Sequence, residues 1–329
     1  MAGIAQDRAT AALLGLAIGD ALGMPSQTLD RAAIRSTYGR IEGFVDPVPD
    51  HPVAHGLRAA MVTDDTEQTL LLARRLIADR GGFDVNLWAA DLLGWEAEVA
   101  ARGLLDLLGP SSKAALVALR GGASVAEAGR LGSTNGAAMR IAPVAIATPP
   151  DPVRLMARVA RISRLTHGTG QALAGAAAVA MVISQGLDGA GFEEAVPLAL
   201  VAAETGVAGA DPAAQSAMAD RIGAALDLAG QGEDALATGI GTSVQSLQSV
   251  ACAFGVVRLA GGDPWQAALI AANIGDDTDT IGAIACAMAA ACAGTQALPR
   301  DKVEQVIRVN RLDLAPLVTS LLALREGSA

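Results

Sequence analysis

Glycine, proline and aspartate cut this chain into fifteen segments of helical length, and no alternation of apolar and polar residues lasts long enough to make a strand. The segments run 8–22, 65–80, 84–101, 112–120, 124–130, 136–147, 152–164, 168–186, 191–205, 212–229, 243–261, 263–273, 280–293, 299–310 and 314–325. In the second, Leu70, Leu71, Ala73, Leu76 and Ile77 form one stripe, with Arg74, Arg75 and Asp79 off it. Breakers stand where helices should end, at Gly81-Gly82, Gly121-Gly122, Pro149-Pro150 and Gly261-Gly262. Asp211-Pro212 and Asp263-Pro264 read as an N-cap followed by proline in the first turn. Only 26–62, rich in Pro, Asp, His and Gly, reads as irregular, and a loop that long in a compact domain often carries function.

The core must be built from small aliphatics, because 329 residues include only 3 Trp, 4 Phe and 1 Tyr. Ala and Leu favour helix, so the expectation is an all-α, compact multi-helix bundle, one domain over 1–329. Apolar residues make up 52% and the net charge is −10, too apolar for disorder and too acidic for a nucleic-acid partner. The longest uninterrupted apolar runs fall short of the roughly 18 residues of a membrane span, so no membrane partner is expected and Ile281–Gly294 reads as a buried helix. Asp7 and Asp20 interrupt the N-terminal apolar stretch, unlike a secretory signal. Cys252, Cys286 and Cys292 form no CxxC pair; buried thiols in a reducing cytoplasm are expected.

The sequence holds no Walker A loop, GxGxxG, HExxH or GxSxG. Carboxylates cluster instead beside threonine, in Thr63-Asp64-Asp65-Thr66-Glu67 and in Asp276-Asp277-Thr278-Asp279-Thr280, each just before a helix. Helix capping is one reading of either cluster. Capping uses only one or two such residues, and adjacent buried carboxylates need a counter-charge. A hard divalent cation held by carboxylate and hydroxyl oxygens is the other reading. Three further segments stand out: Gly132 to Arg140, small residues before a helix, suited to an anion; Thr166-His167-Gly168; and Asp20, an acid inside an apolar helix.

Together and in this order, GLAIGDALGMP (15–25), TDDTEQT (63–69), GSTNGAAMRIAP (132–143), THGTGQALAGA (166–176) and NIGDDTDTIGAIACAMAAA (273–291) resemble the ADP-ribosylglycohydrolase family. The resemblance implies an all-α fold with two Mg²⁺ (or Mn²⁺) ions held by Thr63, Asp64 and Asp65 and by Asp277, Asp279 and Thr280. It implies hydrolysis of an N- or O-glycosidic bond at the ribose anomeric carbon of a small riboside or ADP-ribosylated substrate. Ser133, Asn135, Gly136 and Met139 would lie near the substrate's phosphate or distal ribose and His167 near its edge, with Asp20 and Gln27 completing the substrate set. Asp65, Asp277 and Asp106 are the candidate catalytic acids, Asp106 by a loose alignment in LLDLLGPSS.

Three positions depart from the family pattern. Gln27 stands where GDALGxPxE has glutamate, and an amide cannot act as a base near neutral pH. Asp276 replaces a glycine beside the metals, and Thr134 replaces the glycine before Asn135. The Gln27 variant resembles a bacterial branch associated with nucleoside uptake and sugar-kinase functions, so nucleosides compete with ADP-ribosyl substrates. Two other classes stay open: a catalytically inactive ligand-binding relative, and phosphoryl transfer with Arg140 or Arg58 as clamp.

Overall fold

The chain is described from a computed structural model, which covers residues 2–104, 107–205 and 212–327. It is all-α. In chain order the helices are α1 (Ala2–Gly23), α2 (Arg31–Tyr38), α3 (Asp64–Ala78), α4 (Val85–Ala101), α5 (Pro110–Arg120) and α6 (Val125–Ala128). Then come α7 (Gly136–Met139), α8 (Ala142–Ile146), α9 (Pro152–Ser163), α10 (Gly170–Leu187), α11 (Phe192–Thr205) and α12 (Pro212–Ala229). The last are α13 (Glu233–Ile240), α14 (Ser246–Leu259), α15 (Pro264–Ile274), α16 (Thr278–Ala293), α17 (Arg300–Asn310) and α18 (Ala315–Glu326). Among the described residues there is no strand, only one antiparallel bridge between Thr134 and Gln245.

Small side chains let helices approach at backbone distance. Gly15, Gly19 and Gly23 recur every four residues along one face of α1 and meet Cys286, Gly282 and Thr278 of α16. A Cβ on Gly19 would stand 2.1 Å from the Gly282 carbonyl oxygen, so glycine is required there. This seam brings Gly23 against the backbone of Asp279, at the mouth of the second acidic cluster. The buried apolar residues form one contiguous core, with Ala160 and Leu173 as a small satellite.

Several sequence expectations need correction. The stretch 26–62 contains α2, capped by Asp30, whose carboxylate accepts the Ala33 amide. The segment expected at 136–147 is two short helices, because Pro143 cannot donate to the carbonyl four residues back. A helix at 233–240 was not anticipated, and the next begins at Ser246 rather than 243. On α3 the fully buried face is Asp65, Thr69, Leu72 and Leu76 with Gln68 and Ala73; Leu70, Leu71 and Ile77 are half-buried. The stripe had been drawn on the apolar residues alone, but the inward face is polar at its start. Asp263 caps α15 as expected, accepting the Trp265 and Gln266 amides; Asp211 lies outside the described residues.

Two helical stretches, Gly3–Ser26 and Gly170–Leu187, are long and apolar enough to cross a membrane by length and composition. Their apolar windows are 94% and 89% buried inside the fold, so packing against other helices already accounts for them. The three cysteines are free and buried, and burial pushes the Cys252 thiol up to about 12.

Candidate functional site

Asp20, fully buried on α1, caps a helix other than its own. Its carboxylate accepts the Thr63 and Thr66 amides at 3.0 and 3.1 Å, and their hydroxyls at 2.8 and 2.5 Å. Thr63 is the N-cap of α3 but makes no side-chain capping bond. Asp20 therefore satisfies two of the N–H groups at the start of α3 from outside, those of Thr63 and Thr66. That leaves Asp64 and Asp65 free of any capping duty.

The second cluster is held in a similar way. Asp277 is the N-cap of α16 and makes no side-chain capping bond either. Its backbone N–H donates to the Thr242 carbonyl at 3.0 Å. Its Oδ2 accepts from Asn135 Nδ2 at 2.5 Å, and the same amide donates to Ser249 Oγ at 2.8 Å. Asp64 is held by a second amide, Gln68 Nε2, at 3.0 Å to Oδ2. Neither cluster thus does the work of capping that its composition first suggests.

The two clusters converge. Thr280 Oγ1 donates to Asp65 Oδ2 at 3.4 Å, and Thr63 Oγ1, whose proton goes to Asp20, lies 3.2 Å from the same oxygen. Burial, followed by repulsion from Asp20 and the other acids, raises Asp64 and Asp65 well above the usual carboxylate range. Burial and then Asp277 do the same to Asp279, and burial raises Asp277 to about 7. Asp65 Oδ1 and Asp279 Oδ1 are buried and have no hydrogen-bond partner. Such atoms are costly unless something else satisfies them. Among the described residues no three His, Cys, Asp or Glu groups form a ready-made cage. The donor set is completed by threonine hydroxyls, and its chemistry, hard oxygens with two unsatisfied, fits Mg²⁺ or Mn²⁺.

A cleft of about 190 Å³ opens onto these acids. Asp64, Asp277, Asp279 and Thr280 line it, as do Gln27, Asn135, Gly136, Met139 and His167. Gln27 Nε2 is buried there without a partner. His167 stacks on Gly136, where a Cβ would come within 2.7 Å of its ring. Two expected substrate residues are elsewhere. Asp20 does not line the cleft, since its carboxylate is committed to α3. Ser133 does not line it either; its hydroxyl donates to Gln245 Oε1 at 3.1 Å. Asp106 lies outside the described residues.

Asp276 adopts φ +62°, the left-handed region where glycine is favoured and aspartate tolerated. Its side chain is exposed at the cleft mouth, while its backbone pairs reciprocally with Thr28 and Leu29 at 2.7 Å. A larger groove of about 870 Å³ runs past α3 and α4, but there Glu67 is held by Arg102 at 2.7 Å and Asp91 by Arg75 at 2.6 Å. Of the carboxylates without an ion pair, Asp64, Asp277 and Asp279 line the smaller cleft, while Asp65 is buried and does not.

Four residues that organise the site were not singled out for this role in the sequence: Gln68, Arg140, Ser249 and His51. Gln68 had a signal, standing four positions after Asp64 on one helix face. His51 had none: it reaches across the loop, its Nε2 3.0 Å from the Gln27 carbonyl and its Nδ1 accepting the Ala54 amide at 2.8 Å.

A sequence profile of the ADP-ribosylglycohydrolase family matches residues 1–329. The chain belongs to the ADP-ribosylglycohydrolase family. An uncharacterised Escherichia coli K12 protein, YegU, is 35% identical over 97% of this chain and 98% of its own length. ADP-ribosylarginine hydrolase Tri1 of Pseudomonas putida GB-1 is 28% identical over 98% of this chain and 82% of its own. A solved structure described as an ADP-ribosylglycohydrolase-related protein complex aligns over 99% of both chains, with TM-score 0.70 and 26% identity. Membership in the ADP-ribosylglycohydrolase family supports a glycosyl-hydrolase activity of that type.

Proposed function

We propose that this ADP-ribosylglycohydrolase-family chain is a Mg²⁺-dependent hydrolase that cleaves the bond from a ribose anomeric carbon to its leaving group. The observation that carries this reading is the pair of buried, unpartnered oxygens, Asp65 Oδ1 and Asp279 Oδ1, in a ring of acids. Thr63, Asp64 and Asp65 would hold one ion and Asp277, Asp279 and Thr280 the other. Bound there, the ions supply charge neutralisation and an activated water.

The chain's own residues set the geometry. Gln68 and Asn135 each turn an amide N–H to one oxygen of a carboxylate, Asp64 and Asp277 respectively, and so fix its orientation. Asp277, which lines the cleft, stands as the carboxylate able to take the proton of the attacking water; Asp65, buried and outside the lining, would serve to hold the ion. Gln27 offers its unpartnered amide to an acceptor on the sugar. Complete retention of the acidic and hydroxyl set favours an enzyme over an inactive binding relative. Phosphoryl transfer is disfavoured, because Arg140 is buried and absent from the cleft lining.

The size of the cleft favours a second reading within the same chemistry. About 190 Å³ is below the roughly 300–1,000 Å³ usual for sites that engulf a whole drug-sized ligand, so a simple riboside fits more readily than a whole ADP-ribose. The test is turnover by mass spectrometry with Mg²⁺. The panel is ADP-ribosyl-arginine peptide, ADP-ribosyl-serine peptide, O-acetyl-ADP-ribose and nucleosides, with Asp277→Ala/Asp279→Ala as the blank. Release of ADP-ribose supports the first substrate class, and release of free ribose and base the second. Product from metal-stripped protein rejects the proposal.

A further inference from the structure

Arg140 is among the largest fully buried side chains, yet none of its hydrogen-bond partners among the described residues is a carboxylate. Its Nη1 donates to Gln68 Oε1, and its Nη2 faces Thr166 Oγ1 and His167 Nδ1, the latter at 3.3 Å. The guanidinium lies 5.8 Å from the Trp88 ring centroid. A buried cation so close to acids would ordinarily pair with one. Here an amide stands between them.

Donor chemistry fixes the direction of each contact. Arginine only donates, so the Gln68 oxygen faces Arg140 and its NH₂ group faces Asp64. For the same reason His167 Nδ1 is an acceptor, and the neutral ring carries its proton on Nε2. That N–H then donates to Thr134 Oγ1, 3.1 Å away. The Thr166 hydroxyl accepts from Arg140 and donates to His167 Nδ1 at 2.8 Å. His167 is thereby committed at both nitrogens, and forms a wall of the cleft instead of a proton shuttle.

We propose that Arg140 is a positioning residue that joins the two walls of the cleft. One arm, through Gln68, aims Asp64 and brings positive charge near it without occupying either of its oxygens. The other, through Thr166, fixes the tautomer of His167 and with it the Thr134 hydroxyl on the substrate side. Lysine cannot replace it, because a single ammonium lacks the planar fork that reaches both arms. The Asp64 arm rests on the metal centre proposed above; the His167 arm does not.

The test compares Arg140→Lys, Gln68→Met and Thr166→Val by calorimetric Mg²⁺ titration, ¹⁵N NMR of the His167 ring and urea melts. Losing a residue that orients a metal ligand typically costs about 10–100-fold in affinity. Gln68→Met should show that loss and keep the Nε2–H tautomer. Thr166→Val leaves only the long 3.3 Å Arg140 contact on His167 Nδ1, so it should mix the tautomers and keep Mg²⁺ affinity. Arg140→Lys should do both, and adding Gln68→Met to it should lower the affinity no further. Gln68→Met with wild-type Mg²⁺ affinity overturns the first arm, and Thr166→Val with an unchanged tautomer overturns the second. A loss of stability with neither effect makes the network merely structural and rejects the proposal. If Arg140→Lys does not fold, the two single-arm variants decide. Wild-type protein that takes up no Mg²⁺ rejects the metal centre and the Asp64 arm, while the His167 spectra judge the other arm alone.

Discussion

Asp20 accepts the backbone N–H of Thr66, 46 positions further along the chain, at 3.1 Å. A residue on the first helix thus sets where the third begins, and with it the direction of Asp64 and Asp65. The acidic centre is held in place by an acid that is not exposed to the cleft.

Asp20→Asn tests that anchor. The variant keeps the shape but turns one acceptor oxygen into a donor, facing two N–H and two O–H groups that also donate. Hydrogen bonds to a charged group are worth about 1.5–3 kcal/mol each. Burial offsets part of that gain, since it raises Asp20 to about 6, so the expected net loss is about 1 kcal/mol in urea melts, together with weaker Mg²⁺ binding. Unchanged stability would show that the carboxylate is dispensable to α3.

Acidity should stabilise the metal-free protein. Burial raises Asp20 from 3.8 to about 6 and Asp277 to about 7. An acid whose pKa is higher folded than unfolded binds its proton more tightly in the native state. Its contribution to stability is complete below about 3.8 and lost as pH rises through about 6 to 7. In EDTA, Tm should therefore be lower at pH 8 than at pH 5.5. Saturating Mg²⁺ should reverse the order, since ions bind the deprotonated acids. Calorimetry at both pH values reads this directly, and a metal-free Tm that climbs towards pH 8 contradicts it.

Asp279→Asn should raise the Tm of metal-free protein and abolish the gain in Tm on adding Mg²⁺. The substitution removes a buried charge that Asp277, Asp20 and Asp64 all repel. A variant that is less stable without metal, or that still responds to Mg²⁺, argues against a cation at this position.

The seam between α1 and α16 gives a paired test on one helix. Gly19→Ala forces a Cβ against the Gly282 carbonyl, whereas Gly3 has nothing within 4 Å. Overpacking costs about 1–3 kcal/mol, while alanine gains up to about 1 kcal/mol over glycine at an open helical site. Gly19→Ala should destabilise and Gly3→Ala should not. Equal effects in urea melts would mean that the helices can slide apart freely.

The helical fold was legible because breakers and caps are local signals, as Asp263 shows by capping α15 as its sequence implies. The acidic clusters were legible too, since Thr63 to Glu67 and Asp276 to Thr280 are contiguous. What could not be read were relations across the chain. Nothing near Asp20 says that its oxygens belong to Thr63 and Thr66, and nothing near Asn135 says that it turns to Asp277. The α3 stripe was misplaced for a related reason. An apolar stripe has no place for Gln68 and Thr69, yet they face inward because Arg140 and the Asp65 carbonyl give them partners.

The contact between residues 19 and 282 also sets a clock on synthesis. The ribosome finishes α1 long before it makes the helix against which that face must lie. Until then three bare glycines and an apolar surface have no mate, and closing so long a loop brings no reward before α16 emerges. A chain terminated early would carry the first acidic cluster without the second. Truncated products should therefore be inert and prime clients for chaperones and proteases.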